Sequence, residues 1–167
     1  IFIQAVLATL LGGTMSSRLF VEIREKRGLA YSVRVGVEQY ADIGALVIKL
    51  GLDAVKVEEA VQVVKSELKK ITSELATDEE LKRAKDSLLG NYTLRLESPS
   101  SRMQYLAKQI VLDQRIITPE IFRKKIEKIT TTDIQKFAQK VFNYKRLNVA
   151  MIGPFKDGKK IINILIK

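Results

Sequence analysis

Histidine and cysteine are both absent from this chain, and the two absences bound its chemistry more tightly than any motif that is present. A catalytic zinc site is assembled from neutral imidazoles with a carboxylate, or from thiolates, so the only metal ligands on offer here are oxygens. Without thiols there is no disulfide framework, which is compatible with a reducing interior but does not specify one. Proline is scarce, with three residues, and no stretch reads as a linker or a low-complexity tract. Long apolar runs are also missing. The opening IFIQAVLATLL has a helical pattern, but it is well short of the ~20 residues needed to cross a bilayer, and it lacks the charged front of a signal peptide. No membrane partner is expected. With 167 residues, 46% of them hydrophobic, the chain holds one core, and residues 1–167 are read as a single domain. It begins with Ile rather than Met, so it reads as part of a larger protein.

Acidic residues are few beside basic ones, 19 against 29, for a net charge of +10. That excess raises nucleic-acid or anionic-surface binding as a function class, kept here as a remote alternative. The cations, however, interleave with acids, as in KVEEAVQVVKSELKK and FRKKIEKI, the pattern of solvated helix faces. No aromatic RNP strand, zinc finger or basic heptad region accompanies them, so no nucleic-acid partner is expected.

The most informative segment is Gly12 to Val37, GGTMSSRLFVEIREKRGLAYSVRVGV. Ser16 or Ser17 is placed to cap a short helix with Leu19, Phe20 and Ile23 at helical spacing, and Arg24, Lys26 and Arg27 fall in its last turn, where the dipole favours cations. Gly28 stops it. Tyr31, Val33, Val35 and Val37 then alternate with Ser32, Arg34, Gly36 and Glu38, the period of a half-buried strand. Arg24 and Tyr31 thus flank a sharp helix-to-strand turn and are placed to project toward one end of a sheet. On residue type alone, Arg24 reads as readily as a solvated charge and Tyr31 as a core aromatic. Arg18, Glu22 and Lys26 form an i, i+4 ladder read as structural. Arg27 and Arg34 are read as surface charges, Arg34 on the strand face opposite Tyr31. Gly12 and Gly13 lack a following GK[ST], so they mark a close backbone approach rather than a phosphate cradle.

The remaining pattern completes an α+β fold, a mainly antiparallel sheet with several helices packed on one face. Gly44 to Leu52 pairs with Tyr31 to Glu38 as a hairpin across the turn at Gln39 to Ile43. Asp53 caps a helix striped by Val57, Ala60, Val61, Val64, Leu68 and Ile71, and Thr77 with Glu80 forms a capping box for a helix reaching about Leu96. Ser98 and Pro99 punctuate, Arg102 to Leu112 is helical, Thr118 with Pro119 starts a further helix, and Thr132 caps the last before a strand at Leu147 to Ile152. The apolar run IINILI is ambiguous between helix and strand.

GGTMSSRLFVEIREKRGLAYSV, TDEELKRAKDSLLGNYTLRLES and the closing LNVAMIGPF together resemble the C-terminal half-domain of the pitrilysin/insulinase-type (M16) zinc metallopeptidases, in the bacterial branch similar to the mitochondrial processing peptidases. In that family two similar halves close like a clamshell over a peptide, and the first half carries zinc in an HxxEH motif. The resemblance therefore implies that this chain is the half without zinc, inactive alone, and lacking the first strand with which such halves begin. It implies that Arg24 and Tyr31 are the arginine and tyrosine which this half contributes to the active site: a forked donor for peptide carbonyls, and a phenol for the oxyanion formed as zinc-bound water attacks. Zinc is expected in the missing N-terminal half, and no cofactor in this chain. The implied partners are that half, in the same chain or a partner subunit, and an extended peptide substrate, with a homodimer also open. A non-catalytic partner or core subunit of the same family is the alternative. The expected compartment is a bacterial cytoplasm, with the mitochondrial matrix as the alternative. A basic cavity wall would repel basic presequences, so that specificity does not follow from the resemblance.

Overall fold

The structure is a computed structural model and describes residues 1–40, 42–113, 116–155 and 158–166. Its organising element is α1, Phe2–Gly12. FIQAVLATLLG is apolar almost all round, and a helix of that kind is stable only with neighbours on several sides. Val6, Leu7 and Leu11 are fully buried, and α1 joins a single large core cluster with residues from both strands and most of the helices.

One neighbour is the sheet. Strands β1, Ala30–Gln39, and β2, Gly44–Leu52, form the expected antiparallel hairpin. The cross-strand pairs Val33 with Leu50, Val35 with Ile48 and Val37 with Leu46 turn their side chains toward α1. Arg34 opposite Lys49 and Glu38 opposite Ala45 face solvent. Gly12 lets α1 meet β1 closely: a Cβ there would stand 2.9 Å from the Val35 backbone nitrogen. The close-approach reading of this glycine therefore holds.

The other neighbours are helices. Asp53 accepts from Val55 N at 3.3 Å and opens a single 3-10 turn that runs into α2, Val57–Ser73. Val57, Ala60, Val64 and Ile71 make its buried stripe. The Thr77–Glu80 capping box starts α3, Asp78–Arg95. Ser98 caps α4, Pro99–Lys108, which passes into a π-helical turn at Gln109–Asp113, and Thr118 caps α5, Pro119–Glu127. Helices α3, α4 and α5 are joined by a polar and aromatic cluster. The Tyr92 hydroxyl donates to Tyr105 at 2.8 Å, Tyr105 donates to the Ile117 carbonyl at 3.0 Å, and Phe122 stacks on Tyr92 at 4.1 Å.

Two expectations change in detail, and one open alternative is resolved. Helix α6, Thr131–Val141, is capped by Thr130 rather than Thr132: Thr130 finds Asp133 three residues on and completes a reciprocal box, which leaves Thr132 inside the first turn. The ambiguous IINILI run is helical, within α7, Lys159–Ile166, and packs Ile161 and Leu165 against Val57. Leu147 to Ile152 forms no strand. Its alternation suits one, but a strand exists only as a hydrogen-bonded partner of another, and among the described residues the sheet has two strands, β1 and β2. The fold is α+β, with helices on one face of an antiparallel sheet. Among the described residues no helix is long and apolar enough to cross a membrane.

Candidate functional site

The chain between α1 and β1 is shaped by its carbonyls more than by its caps. Ser17 is buried, and its hydroxyl turns back to donate to the Thr14 carbonyl at 2.5 Å while its own carbonyl accepts from Val21 N at 3.0 Å. No side chain caps the turn that follows, so the capping role expected of Ser16 or Ser17 is not realised. Phe20–Glu25 winds as a π-helix, with Lys26 N reaching Val21 O five residues back at 2.9 Å. Leu19 and Ile23 lock its inner face into the core. Gly28, at φ 58°, ends it in the left-handed region open to glycine. Leu29 N then returns to Ile23 O at 2.8 Å, and β1 begins at once. Short π-helical turns recur at functional sites.

The charges on this turn separate into two sets. The Arg18 guanidinium grips Glu80 with both arms, at 2.7 and 2.9 Å, and the same carboxylate accepts from Thr77 N at 2.8 Å in the capping box. That fork, against some desolvation, holds the Glu80 carboxyl below its ordinary range. Arg18 therefore leaves the expected ladder with Glu22 and Lys26: a bidentate partner on α3 outcompetes a monodentate one a turn away. Glu22 instead takes Lys26 and Arg27 together, which makes Arg27 an ion-pair partner. Arg24 is exposed and lies over the Phe20 ring, 5.1 Å from its centroid. Among the described residues it has no carboxylate partner.

Glu22 carries a pH prediction. Hydrogen bonds from Lys26 and then Arg27 lower its pKa from 4.5 to about 2. A depressed carboxyl stabilises the fold above its unfolded pKa, and the contribution is lost as pH falls through the folded one. Urea midpoints of the wild type and Glu22→Gln should differ near neutral pH and converge as pH drops from about 4.5 toward about 2. A constant difference across that window would show that the ion pairs contribute nothing.

Tyr31 departs from its expected phase. The ladder pairs Ala30 with Leu52 and Ser32 with Gly51, so Tyr31 is the extra residue of a β-bulge. Simple alternation groups it with Val33 and Val35, yet Val33 is 5% exposed and Tyr31 73%. The ring lies over Gly51, where a Cβ would stand 2.6 Å from ring carbons and 2.8 Å from the hydroxyl oxygen. Since Gly51 pairs with Ser32 and lies two residues from Lys49, hence on the same face, the Tyr31 ring is on the solvent face that also carries Arg34. The expectation that Arg34 lies opposite Tyr31 is therefore corrected, and the bulge is the reason. Arg34, like Arg24, has no carboxylate partner among the described residues. No hydrogen bond or ring contact joins Arg24 to Tyr31 among those residues: Arg24 lies over Phe20 and Tyr31 over Gly51.

A metal does not fit these residues. The chain has no imidazole or thiolate, and no group of three or more acidic side chains among the described residues could hold an ion. Sequence reasoning missed Gly51, although a glycine inside a strand pattern signals a bulge or a close approach. For the π-helical winding it had no signal.

Fold and turn together define a helix-backed antiparallel hairpin that presents an arginine and a tyrosine to solvent at the start of β1. The family model described as the peptidase M16 inactive domain matches residues 2–88, and the chain belongs to the peptidase M16 family. An uncharacterised zinc protease of Streptomyces coelicolor is 35% identical to it over 154 residues, 92% of this chain and 33% of that protein. The crystal structure of a peptidase M16 inactive domain from Pseudomonas fluorescens aligns with a TM-score of 0.74 at 26% identity, covering 85% of this chain and 34% of that one. A chain of complex III2 from Candida albicans shares the fold, with a TM-score of 0.75 at 16% identity over 83% of this chain and 35% of that one. The chain spans about a third of the length of the curated relatives it matches.

Proposed function

We propose that this chain is the C-terminal, non-zinc half of a zinc-dependent endopeptidase, a single domain that is inert alone and completes an active site across a closed cavity. Its partner is an N-terminal zinc-bearing half, in the same chain or another subunit, and its substrate is an extended peptide. The observation that carries the reading is the bulge at Tyr31. It turns an aromatic that simple alternation would bury out to the solvent face, a few residues from an arginine with no carboxylate partner among the described residues.

The chemistry suits these roles. The Arg24 guanidinium, steadied by Phe20, offers a rigid fork of donors to peptide carbonyls. The Tyr31 hydroxyl donates to the scissile carbonyl as its oxygen takes on negative charge, an interaction stronger in the transition state than in the bound substrate. Zinc, held in the other half, is the source of the nucleophile and of the metal dependence.

Mixing the chain with a zinc-bearing half of the family should restore chelator-sensitive cleavage of an unstructured peptide, and a well-folded mixture that binds peptide without cutting it would refute the proposal. Within that assembly, Arg24→Ala should reduce kcat/KM by the about 1.5–3 kcal/mol typical of a hydrogen bond to a charged group. Arg27→Ala, which removes an ion pair with Glu22 away from the proposed site, should leave kcat/KM almost unchanged, within the roughly 0.5 kcal/mol of an ordinary surface substitution. Equal losses in the two variants would remove Arg24 from the site.

A further inference from the structure

We infer that Gly51 is the positioning residue for Tyr31: the bare backbone of β2 at that point is a shelf on which the phenol rests, and the missing side chain sets where its hydroxyl stands. This rests on the reading of Tyr31 as an active-site donor and adds to it the element that orients it.

The bulge alone does not orient the ring. It releases Tyr31 from the inward phase and leaves it 73% exposed, and an exposed tyrosine ordinarily samples several staggered χ1 wells. Here the ring instead covers Gly51, and the space for a Cβ at that position is filled by Tyr31 Cε2 and Cζ, each at 2.6 Å, and by the hydroxyl oxygen at 2.8 Å. Position 51 lies on the solvent face of β2, where threonine, valine or lysine would be at home. Glycine weakens a strand and calls for a reason. Backbone conformation does not supply one, because Gly28 has the positive φ. No backbone presses on the position first, since the three nearest atoms to a Cβ there all belong to the Tyr31 side chain. Gly36 on β1 makes the contrast: a Cβ there meets nothing within 4 Å.

The consequence is a substitution that spares stability and lowers activity. The atoms that a methyl group at position 51 would displace are the far end of one side chain, which swings away at little cost to the fold. The hydroxyl moves with them. A displacement of about 1 Å at a reacting group is enough for losses of up to about a hundredfold.

The test is a double-mutant cycle in the assembled peptidase, using a fluorogenic peptide, with Gly51→Ala, Tyr31→Phe and the pair. Gly51→Ala should lower kcat roughly tenfold to a hundredfold, with KM and Tm unchanged or Tm slightly raised. In the Tyr31→Phe background the same substitution should change kcat by less than about twofold, because the hydroxyl it displaces is already gone. A full kcat in Gly51→Ala, with a deep loss in Tyr31→Phe, would overturn the shelf and leave the role of Tyr31 standing. Equal losses in both backgrounds would likewise overturn it, since Gly51 would then act through something other than the hydroxyl. Unchanged turnover in Tyr31→Phe alone would remove the site reading and this inference with it. A readout independent of turnover is the upfield ring-current shift of the Gly51 α-protons in the same assembly, which Tyr31→Ala should abolish. Protons already at ordinary shifts in the wild type would overturn the contact itself.

Discussion

Replacing Tyr31 by phenylalanine in the assembled peptidase is expected to lower kcat by roughly 10²–10³-fold while leaving KM and the bound zinc almost unaltered. The substitution is narrow. It keeps the bulge, which is a property of the register between Ala30 and Ser32, and it keeps the ring on Gly51. It deletes only the hydroxyl. The loss of one well-placed oxyanion donor costs about 2.7–4 kcal/mol of transition-state stabilisation, and little of this is expressed in the ground state, where the carbonyl oxygen is neutral. Steady-state kinetics with a metal analysis of the same sample separates the cases. Unchanged kcat would rule out the oxyanion role, and loss of zinc would mean that the variant had disturbed the other half instead.

Gly12→Val is expected to be the most damaging substitution for stability on the site-bearing side of the molecule, lowering the free energy of unfolding by at least about 1–3 kcal/mol. A Cβ at residue 12 would stand 2.9 Å from the Val35 backbone nitrogen and 3.0 Å from Val35 Cβ. These atoms cannot swing aside as a side-chain tip does, because Val35 is tied across the ladder opposite Ile48. Either α1 lifts off the sheet, thinning the core around Leu11, or β1 moves, carrying the bulge at Tyr31 with it. Urea unfolding should show a lower midpoint with an unchanged slope. Gly36→Val, at a position where a Cβ meets nothing within 4 Å, is the matched control. If the two variants unfolded alike, the close approach of α1 to β1 would not be what keeps residue 12 a glycine.

Much of this architecture was legible because its signals are local. IFIQAVLATLL, apolar but for Gln4 and Thr9, reads as a helix, the Thr77–Glu80 box marks the start of α3 within one residue, and Val33, Val35 and Val37 opposite Leu50, Ile48 and Leu46 announce a one-sided hairpin. What misled depends on partners that periodicity does not name. Leu147 to Ile152 has the alternation of a strand without a ladder to join. Arg18 has a carboxylate at i+4 yet finds a better one on α3, at Glu80. The bulge is the most consequential of these. A period-two reading assigns Tyr31 to the core face and Arg34 to the other, and one extra residue puts both on the solvent face. For the site itself, residue type left Arg24 and Tyr31 no better than ordinary; the family resemblance singled them out. The geometry adds that both side chains are exposed, that Arg24 has no carboxylate partner among the described residues, and that the phenol sits against glycine.

The measurement that bears most directly on the central proposal is cleavage of an unstructured peptide by this chain assembled with its zinc-bearing half, with and without a chelator, beside the Tyr31→Phe and Arg24→Ala variants. Cleavage that the chelator abolishes, and that both variants reduce well beyond Arg27→Ala, is the expected result. A folded assembly that binds peptide but never cuts it, metal-loaded or not, would contradict the proposal and make this chain part of a non-catalytic subunit of the same family.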